Sequence, residues 1–254
     1  MTTDCVLCND TGSVCKSVDE VGNERWGICV CVERQQKKNR LRFAEVPMEL
    51  RGHTINSFDL SLYSPEGRDL AAKAKRMAAN YVKDFMEYQA MGKGLYLYSS
   101  MPGSGKTRLA VSIGNALWEL HGISAGFKTV IGLMDEIKAT WGSDDDSEKR
   151  TTQEELVARV CEAEIFIFDD IGTERPTPWV EEMLFHIIDT RKTKLRPTIF
   201  TSNCEAENLN YYGKLIQRIS NMAIPVPFPN ESVRNIFTRS ENEQLQLKLL
   251  GERV

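Results

Sequence analysis

The fold is decided by the stretch Leu95-Tyr-Leu-Tyr-Ser-Ser-Met-Pro-Gly-Ser-Gly-Lys-Thr107. An apolar segment runs into a glycine-rich turn, and apolar residues at helical spacing follow, which predicts a strand, a loop and a helix. In such a loop the backbone N–H groups of residues 103–105 surround a phosphate, Lys106 reaches the outer phosphates, and the Thr107 hydroxyl binds Mg²⁺. Ser100 stands where the usual G-x-x-x-x-G-K-[ST] pattern has its first glycine. The stretch therefore predicts a P-loop that binds ATP with Mg²⁺.

A second informative stretch is Ala163-Glu-Ile-Phe-Ile-Phe-Asp-Asp-Ile-Gly-Thr-Glu174, an apolar segment that ends in two adjacent carboxylates. We expect a buried parallel strand beside the P-loop strand, with both acids at the carboxyl edge where open α/β sheets bind ligands. There Asp169 is predicted to bind Mg²⁺ and Asp170 to act on the attacking water. The segment Pro197-Thr-Ile-Phe-Thr-Ser-Asn203 predicts a further strand, and Asn203 is a candidate for orienting that water.

Composition narrows the class of protein. The chain has 254 residues, of which 41% are hydrophobic and 27% charged, as in ordinary soluble globular proteins. Its net charge of −4 does not indicate general nucleic-acid binding, so any contact with DNA is expected from a local patch such as the basic residues 33–42. No apolar run approaches the roughly 18 residues of a membrane span, and the N-terminus does not resemble a signal peptide. We expect a cytoplasmic protein with no membrane partner.

Five of the seven cysteines lie before residue 32. Cys5 and Cys8 are separated by two residues, and Cys29 and Cys31 by one. Two close pairs of thiolates on either side of a glycine-containing loop are typical of a tetrahedral zinc site. A segment this short cannot build an apolar core of its own, so the metal would supply its folding free energy. We predict these four cysteines as Zn²⁺ ligands and Cys15 as a bystander.

Strand and helix patterns alternate through the remaining chain, which predicts a three-layer α/β domain with a mostly parallel sheet. Residues 66–89 are expected to form one helix, because apolar side chains recur there at helical spacing. Residues 43–59 are expected to be irregular, and residues 142–148 to form an exposed acidic loop. We divide the chain into a Cys-rich module with a basic linker, residues 1–44, and an ATPase domain, residues 45–254.

Several motifs together resemble the DnaC/DnaI-type replicative helicase loaders, which are AAA+ ATPases. The motifs are Pro102-Gly-Ser-Gly-Lys-Thr107, Phe168-Asp-Asp-Ile-Gly-Thr-Glu174, Ile188-Asp-Thr-Arg191 and Thr198-Ile-Phe-Thr-Ser-Asn203. The likeness covers about residues 45–240, and the Cys-rich N-terminus is similar to the zinc-binding helicase-interaction module of DnaI-like members. The resemblance implies an AAA+ P-loop NTPase core without a full helical lid, since only 51 residues follow Asn203.

The resemblance also implies roles for two arginines. Arg218 matches the arginine finger that reaches the γ-phosphate bound by an adjacent subunit, and Arg234 matches the second sensor. Asn230 stands where many relatives have glycine. The predicted site comprises the catalytic residues Asp170, Asn203 and Arg218, the cofactor-binding residues Pro102, Gly103, Ser104, Gly105, Lys106, Thr107, Arg108, Asp169 and Arg234, and the metal ligands Cys5, Cys8, Cys29 and Cys31.

The function implied is ATP-dependent loading of a hexameric replicative DNA helicase onto single-stranded DNA, with self-association through the AAA+ domains. The nearest alternative is an IstB-like transposition ATPase, whose N-terminus would not be expected to bind zinc. A small-molecule kinase would need an arginine-rich acceptor lid, and none follows the core. A zinc adaptor that binds nucleotide without hydrolysing it is disfavoured by the complete set of Lys106, Thr107, Asp169 and Asp170.

Overall fold

The computed structural model describes residues 5, 7, 8, 11, 13–18, 24–30, 46–141, 152–234, 246 and 249. It divides the chain into two compact units, Met1–Phe43 and Ala44–Val254, each of which is described by itself. The predicted basic linker, the predicted acidic loop and the predicted ligand Cys31 lie outside the described residues.

The smaller unit contains an antiparallel hairpin of strands β1 (Ser13–Val18) and β2 (Glu24–Ile28). Its register pairs Ser13 with Ile28 and shifts by one residue between Cys15 and Ser17, which marks a β-bulge. A hairpin of this size has little apolar surface to bury, so its stability depends on additional constraints such as a bound metal.

The larger unit alternates strands and helices as the sequence predicts. The helices are α1 (Pro65–Lys83), α2 (Phe85–Ala90), α3 (Lys106–His121), α4 (Val130–Ala139), α5 (Gln153–Glu162), α6 (Pro178–Thr193) and α7 (Gly213–Met222), with 3-10 turns at Met48–Leu50 and Ala206–Asn208. The strands are β3 (Gly94–Tyr98), β4 (Ala125–Thr129), β5 (Ile165–Ile171), β6 (Thr198–Ser202) and β7 (Ala223–Pro227). Among the described residues, no helix is long and apolar enough to span a bilayer.

All neighbouring strands of the five-stranded sheet run parallel, in the order β4-β5-β6-β3-β7. The P-loop strand β3 is therefore an interior strand, and its neighbours are β6 and the edge strand β7. The prediction that β5 lies beside β3 is wrong, because β6 is inserted between them. The carboxyl ends of β3, β6 and β5 still meet at one edge, where parallel sheets bind ligands.

Helices cover both faces of the sheet. On one face, α1 and α3 pack on a core that includes Leu95, Leu97 and Ile167. On the other face, Phe168 stacks on Phe200 with ring centroids 5.7 Å apart, and the Arg191 guanidinium of α6 lies over the Phe166 ring at 5.6 Å from its centroid. The predicted three-layer α/β class is confirmed.

The single helix predicted over residues 66–89 is wrong, because the structure breaks it at Asp84 into α1 and α2. The break turns the chain so that Phe85 is fully buried, with its ring edge-on to Tyr81 at 5.6 Å. The apolar residues on both sides of the break keep helical spacing, so periodicity alone does not reveal it.

Candidate nucleotide-binding site

The P-loop joins β3 to α3 through two glycines with positive φ, Gly103 at 77° and Gly105 at 97°. A Cβ atom on Gly105 would lie 2.6 Å from Tyr63 Oη, and one on Gly103 would lie 2.7 Å from Ser232 Oγ. Both positions therefore require glycine for backbone conformation and for space. Because α3 begins at Lys106, its free N–H groups and positive dipole end face the loop, as anion binding requires.

Lys106 lies across this loop. Its Nζ donates hydrogen bonds to Met101 O at 3.1 Å, to Ser104 Oγ at 3.2 Å and to Ser99 O at 3.4 Å. Burial lowers the pKa of Lys106, and the charge of Asp170 acts in the opposite direction. The side chain is positioned to exchange these neutral acceptors for phosphate oxygens, which are stronger acceptors for an ammonium group.

The hydroxyl of Thr107 donates to Asp169 Oδ1 at 2.8 Å, and the Thr201 hydroxyl donates to the same oxygen at 2.6 Å. Asp169 is buried, and this burial raises the pKa of its carboxyl above the ordinary value. A hydroxyl and a carboxylate side by side are the oxygen ligands that Mg²⁺ prefers. The two residues predicted to hold Mg²⁺ thus lie together with a donor set that fits the ion.

Asp170 follows in an unusual backbone conformation, with φ at 56°. The pairing of β5 with β6 shifts register between Phe168 and Ile171, so Asp170 lies in a bulge. Its N–H donates to Thr201 Oγ1 at 2.9 Å. Bulges and left-handed non-glycine residues are found at functional positions, where they redirect a side chain.

The two remaining predicted residues of the loop region differ in their surroundings. Pro102 is exposed at the outer side of the loop. The Arg108 guanidinium donates to Ser57 O at 2.7 Å and lies over the Phe58 ring at 6.0 Å from its centroid. In this structure Arg108, on α3, therefore holds the segment that precedes α1 against α3.

Residues 229–234, which we call the C-terminal segment, contact the start of the P-loop. Asn230 Oδ1 accepts from Ser100 N at 3.0 Å and lies 3.0 Å from Ser99 Oγ. The two departures from the family pattern noted in the sequence, Ser100 and Asn230, are thus hydrogen-bonded to each other.

The same segment also contacts the middle of the loop. Val233 N donates to Gly103 O at 3.0 Å and Arg234 N to the same oxygen at 3.3 Å. Glu231 anchors the segment by accepting from Ser64 N at 3.0 Å, at the N-terminus of α1. Arg234 is exposed, and its charge acts on the pKa of Lys106. The structure therefore places the Arg234 backbone beside the P-loop, and the role of its side chain as a sensor stays a prediction.

The last two predicted catalytic residues are Asn203, just after β6, and Arg218, on α7. Asn203 directly follows β6, so its half-buried side chain is at the carboxyl edge of the sheet. Arg218 Nε is 2.6 Å from Asp189 Oδ1 of α6, and both side chains are about one third exposed. This ion pair lies within one chain, so the role of Arg218 in a neighbouring site stays a prediction.

Two residues in the site were missed by the sequence analysis. Thr201 bonds both Asp169 and Asp170, and Tyr63 Oη donates to Ser104 O at 2.7 Å in the P-loop. Thr201 lies in a strand that the sequence predicts, but nothing in the sequence distinguishes its hydroxyl from those of the neighbouring Thr198 and Ser202. Tyr63 lies in a segment with no motif, so no sequence signal pointed to it.

In the smaller unit, the thiols of Cys5, Cys8 and Cys29 lie within 4.8 Å of one another. Cys8 and Cys29 are buried, whereas Cys15 is exposed. Three clustered sulfur atoms are a suitable donor set for Zn²⁺, whose structural sites take four ligands in a tetrahedron. The structure thus brings together the three predicted ligands that it describes.

The strand order, the P-loop and the carboxylate-ended strand define a P-loop NTPase of the AAA+ class. More specifically, the chain belongs to the IstB-like ATP binding protein family, whose model matches residues 31–216. This is a family of ATP-binding proteins, and the predicted resemblance to DnaC/DnaI-type helicase loaders is confirmed by the relatives in the next paragraph.

The replicative helicase loader DnaI of Bacillus subtilis (strain 168) is 28% identical over 222 residues, which cover 79% of this chain and 65% of DnaI. The phage-like element PBSX protein XkdC of the same organism is 23% identical over 212 residues, covering 81% of this chain and 74% of XkdC. Among solved structures, a crystal structure of DnaI superposes with a TM-score of 0.59 and 26% identity, covering 73% of this chain and 96% of that one. The chain thus spans about two thirds to three quarters of these curated relatives.

Proposed function

We propose that this protein is an ATPase that loads a hexameric replicative DNA helicase onto single-stranded DNA. The proposal is supported by the likeness to DnaI, named a replicative helicase loader, over most of the chain. The single observation that carries the ATPase part is the contact of Thr107 with Asp169 beside Lys106 in the P-loop. These are the groups that phosphoryl transfer to water requires.

The residues of the site divide the work of hydrolysis. The N–H groups of residues 103–105 and the Lys106 ammonium bind the phosphates of ATP and neutralise their charge. Thr107 and Asp169 hold Mg²⁺, which supplies Lewis-acid stabilisation of the transferred phosphoryl group when it is bound. Asp170 accepts a proton from the attacking water, and Asn203 orients that water from the end of β6.

Arg218 completes the site of a neighbouring subunit in this proposal. On nucleotide-dependent stacking of AAA+ domains, its guanidinium leaves Asp189 and approaches the γ-phosphate of the adjacent protomer. An arginine finger is worth about 10³ to 10⁵ in rate. Hydrolysis by the isolated chain is therefore expected to be slow, and ATP acts mainly as a switch for assembly.

The Cys-rich unit grips the helicase in this proposal. Zn²⁺ bound by Cys5, Cys8 and Cys29, with Cys31 as the predicted fourth ligand, orders a small surface that the apolar content of the segment cannot order alone. Single-stranded DNA would then contact the ATPase domains stacked on the helicase ring.

Native mass spectrometry of the full chain mixed with its host's hexameric helicase, with and without ATP and Mg²⁺, tests the proposal. We expect loader protomers on the helicase hexamer, with zinc retained. Lys106→Ala should abolish nucleotide binding. Arg218→Ala should retain nucleotide but lose the stimulated turnover, and Lys214→Ala, an exposed residue of the same helix, serves as its matched control.

A second candidate is a transposition helper ATPase, which the IstB-like family model favours. The thiol cluster argues for the loader, because the transposition ATPase is not expected to carry a zinc module. This alternative would be established if the protein contained zinc and bound ATP but did not bind the helicase, and instead assembled on duplex DNA.

A further inference from the structure

The backbone around Asp170 is determined by the turn that follows it. Asp170 O accepts from Thr173 N at 3.3 Å and from Thr173 Oγ1 at 2.7 Å, which closes a four-residue turn. Gly172 has φ at 91°, as the third position of a type II turn requires. Asp170 itself has a left-handed φ that is unfavourable for a residue with a side chain. Its conformation therefore depends on contacts that hold the turn closed.

Two side chains hold this turn through one backbone amide. Gly172 N donates to Glu174 Oε2 at 3.1 Å and to Tyr211 Oη at 3.2 Å. Both side chains are 9% exposed, although they come from separate loops, one before α6 and the other before α7. We name Glu174 and Tyr211 the Gly172 clamp.

The carboxyl group of the clamp is costly for the fold. Glu174 is buried, and this burial raises the pKa of its carboxyl, while the N–H groups of residues 172–174 act in the opposite direction. Its Oε1 atom has no hydrogen-bond partner among the residues that the structure describes. A buried polar atom without a partner destabilises a protein and calls for an explanation. The contact that Glu174 does make is with the turn of Asp170.

We propose that Glu174 and Tyr211 are positioning residues for ATP hydrolysis, acting through Gly172 N to keep Asp170 in its left-handed conformation. With the turn held closed, the Asp170 carboxylate stays at the edge of the sheet where the attacking water is expected. This inference rests on the proposed ATPase function, in which Asp170 acts on that water. Neither clamp residue is expected to touch the nucleotide.

The test compares nucleotide affinity with turnover in the full-length protein, together with the helicase that stimulates it. Tyr211→Phe removes only the hydroxyl, and Glu174→Ala removes the carboxyl. Each should lower kcat roughly ten- to a hundredfold, since small misplacements of catalytic groups have effects of this size. The dissociation constant of a fluorescent ATP analogue should change by less than about twofold, as expected when a transition-state contact alone is lost. Glu174→Gln, which keeps an acceptor oxygen, should recover most of the loss.

Tyr212→Phe is the matched control for Tyr211→Phe. The Tyr212 ring packs on Phe185, and its hydroxyl has no hydrogen bond within the described part of the chain, so kcat should not change. Unchanged kcat in both Tyr211→Phe and Glu174→Ala would overturn the inference. So would a parallel loss of nucleotide affinity, because the clamp would then act on the whole site.

A second measurement decides on the clamp without any turnover. Carbonyl-¹³C isoleucine combined with ¹⁵N glycine selects the glycines that follow isoleucine, which are Gly114, Gly132 and Gly172. Hydrogen exchange at Gly172 should be slow in the wild type and faster by about tenfold or more in Tyr211→Phe. Fast exchange in the wild type, or equal exchange in the variant, would overturn the clamp. If the wild-type protein bound ATP without hydrolysing it, the proposed ATPase function would be wrong. The exchange rate at Gly172 would still show whether the two clamp side chains hold the turn.

Discussion

Replacing Arg191 with methionine is expected to destabilise the ATPase domain strongly. The guanidinium is fully buried. It connects α6 to the C-terminal end of α5 and to the chain at the start of β6. It donates to Val160 O at 2.6 Å, Pro197 O at 2.7 Å, Ala163 O at 2.9 Å and Thr198 Oγ1 at 2.9 Å. Methionine has a similar length but no donor, so the substitution removes all four bonds. Pro197 O still accepts from Phe166 N at 3.4 Å and the Thr198 hydroxyl still donates to Arg196 O at 3.1 Å, so the loss falls mainly on Val160 O and Ala163 O.

The magnitude follows from these bonds. Hydrogen bonds from a charged donor contribute about 1.5 kcal/mol each or more, which gives about 6 kcal/mol for four. Part of this is offset because burial of the cation is itself unfavourable, as the lowered pKa of Arg191 indicates. We expect a net loss of about 3 to 5 kcal/mol, the upper part of the range for single substitutions, as is found when a buried hydrogen-bond network is broken. At roughly 2 to 4 °C per kcal/mol, the melting temperature should fall by about 6 to 20 °C.

Urea unfolding followed by circular dichroism measures this loss. Arg196→Met is the matched control, because that arginine is partly exposed and its guanidinium is 3.7 Å from Glu162. The control should cost no more than about 1 kcal/mol. Arg191→Lys should not restore stability, since one ammonium group cannot reach four diverging acceptors. If Arg191→Met lowered the free energy of unfolding by less than about 1 kcal/mol, Arg191 would not be the residue that stabilises the contact of α6 with α5 and β6.

Two further predictions concern the residues proposed to bind Mg²⁺ and Zn²⁺. Burial raises the pKa of the Asp169 carboxyl above its ordinary value of 3.8, which means that the folded protein favours the protonated form. The stability gained in this way is fully present below pH 3.8 and is lost as the pH rises through the folded-state pKa, because the buried carboxyl must then ionise. Asp169→Asn should therefore raise the melting temperature at neutral pH without Mg²⁺ while abolishing Mg²⁺-dependent hydrolysis; calorimetry showing a lower melting temperature would contradict this. Cys29→Ser should remove bound zinc, measured by elemental analysis, and leave ATP binding unchanged; a variant that retains one zinc per chain would exclude Cys29 as a ligand.

The sequence predicts the parts of the fold that are specified locally. The P-loop depends on glycines and on the adjoining strand and helix, all within about 25 residues, so one stretch identifies it. The order of the strands is different, because nothing within β5 or β6 says which of them pairs with β3. The break at Asp84 also escapes periodicity, since it is caused by the burial of Phe85 against the rest of the core.

The same distinction applies to the site. Thr107 and Asp169 were predicted because each belongs to a recognisable motif at the end of a strand or the start of a helix. Tyr63 and Asn230 reach the P-loop from 41 and 130 residues away, in segments whose own sequence shows no phosphate-binding pattern. Contacts of this kind depend on tertiary packing, which a single sequence does not display.

The hydrogen bond between Ser100 and Asn230 accounts for the asparagine at position 230, where many relatives have glycine. It does not account for the serine at position 100, because the donor is the backbone N–H, which glycine also has. A glycine at 230 would offer no side-chain oxygen to Ser100 N, whereas the asparagine fixes the first residue of the loop. Since Val233 N also donates to Gly103 O, the C-terminal segment contacts the loop at its start and in its middle. A phosphate that shifts the P-loop backbone must therefore also shift residues 229–234 or break these bonds. Movement of the P-loop backbone on nucleotide binding would therefore be transmitted to the segment after β7, which makes this segment a candidate for signalling the state of the site.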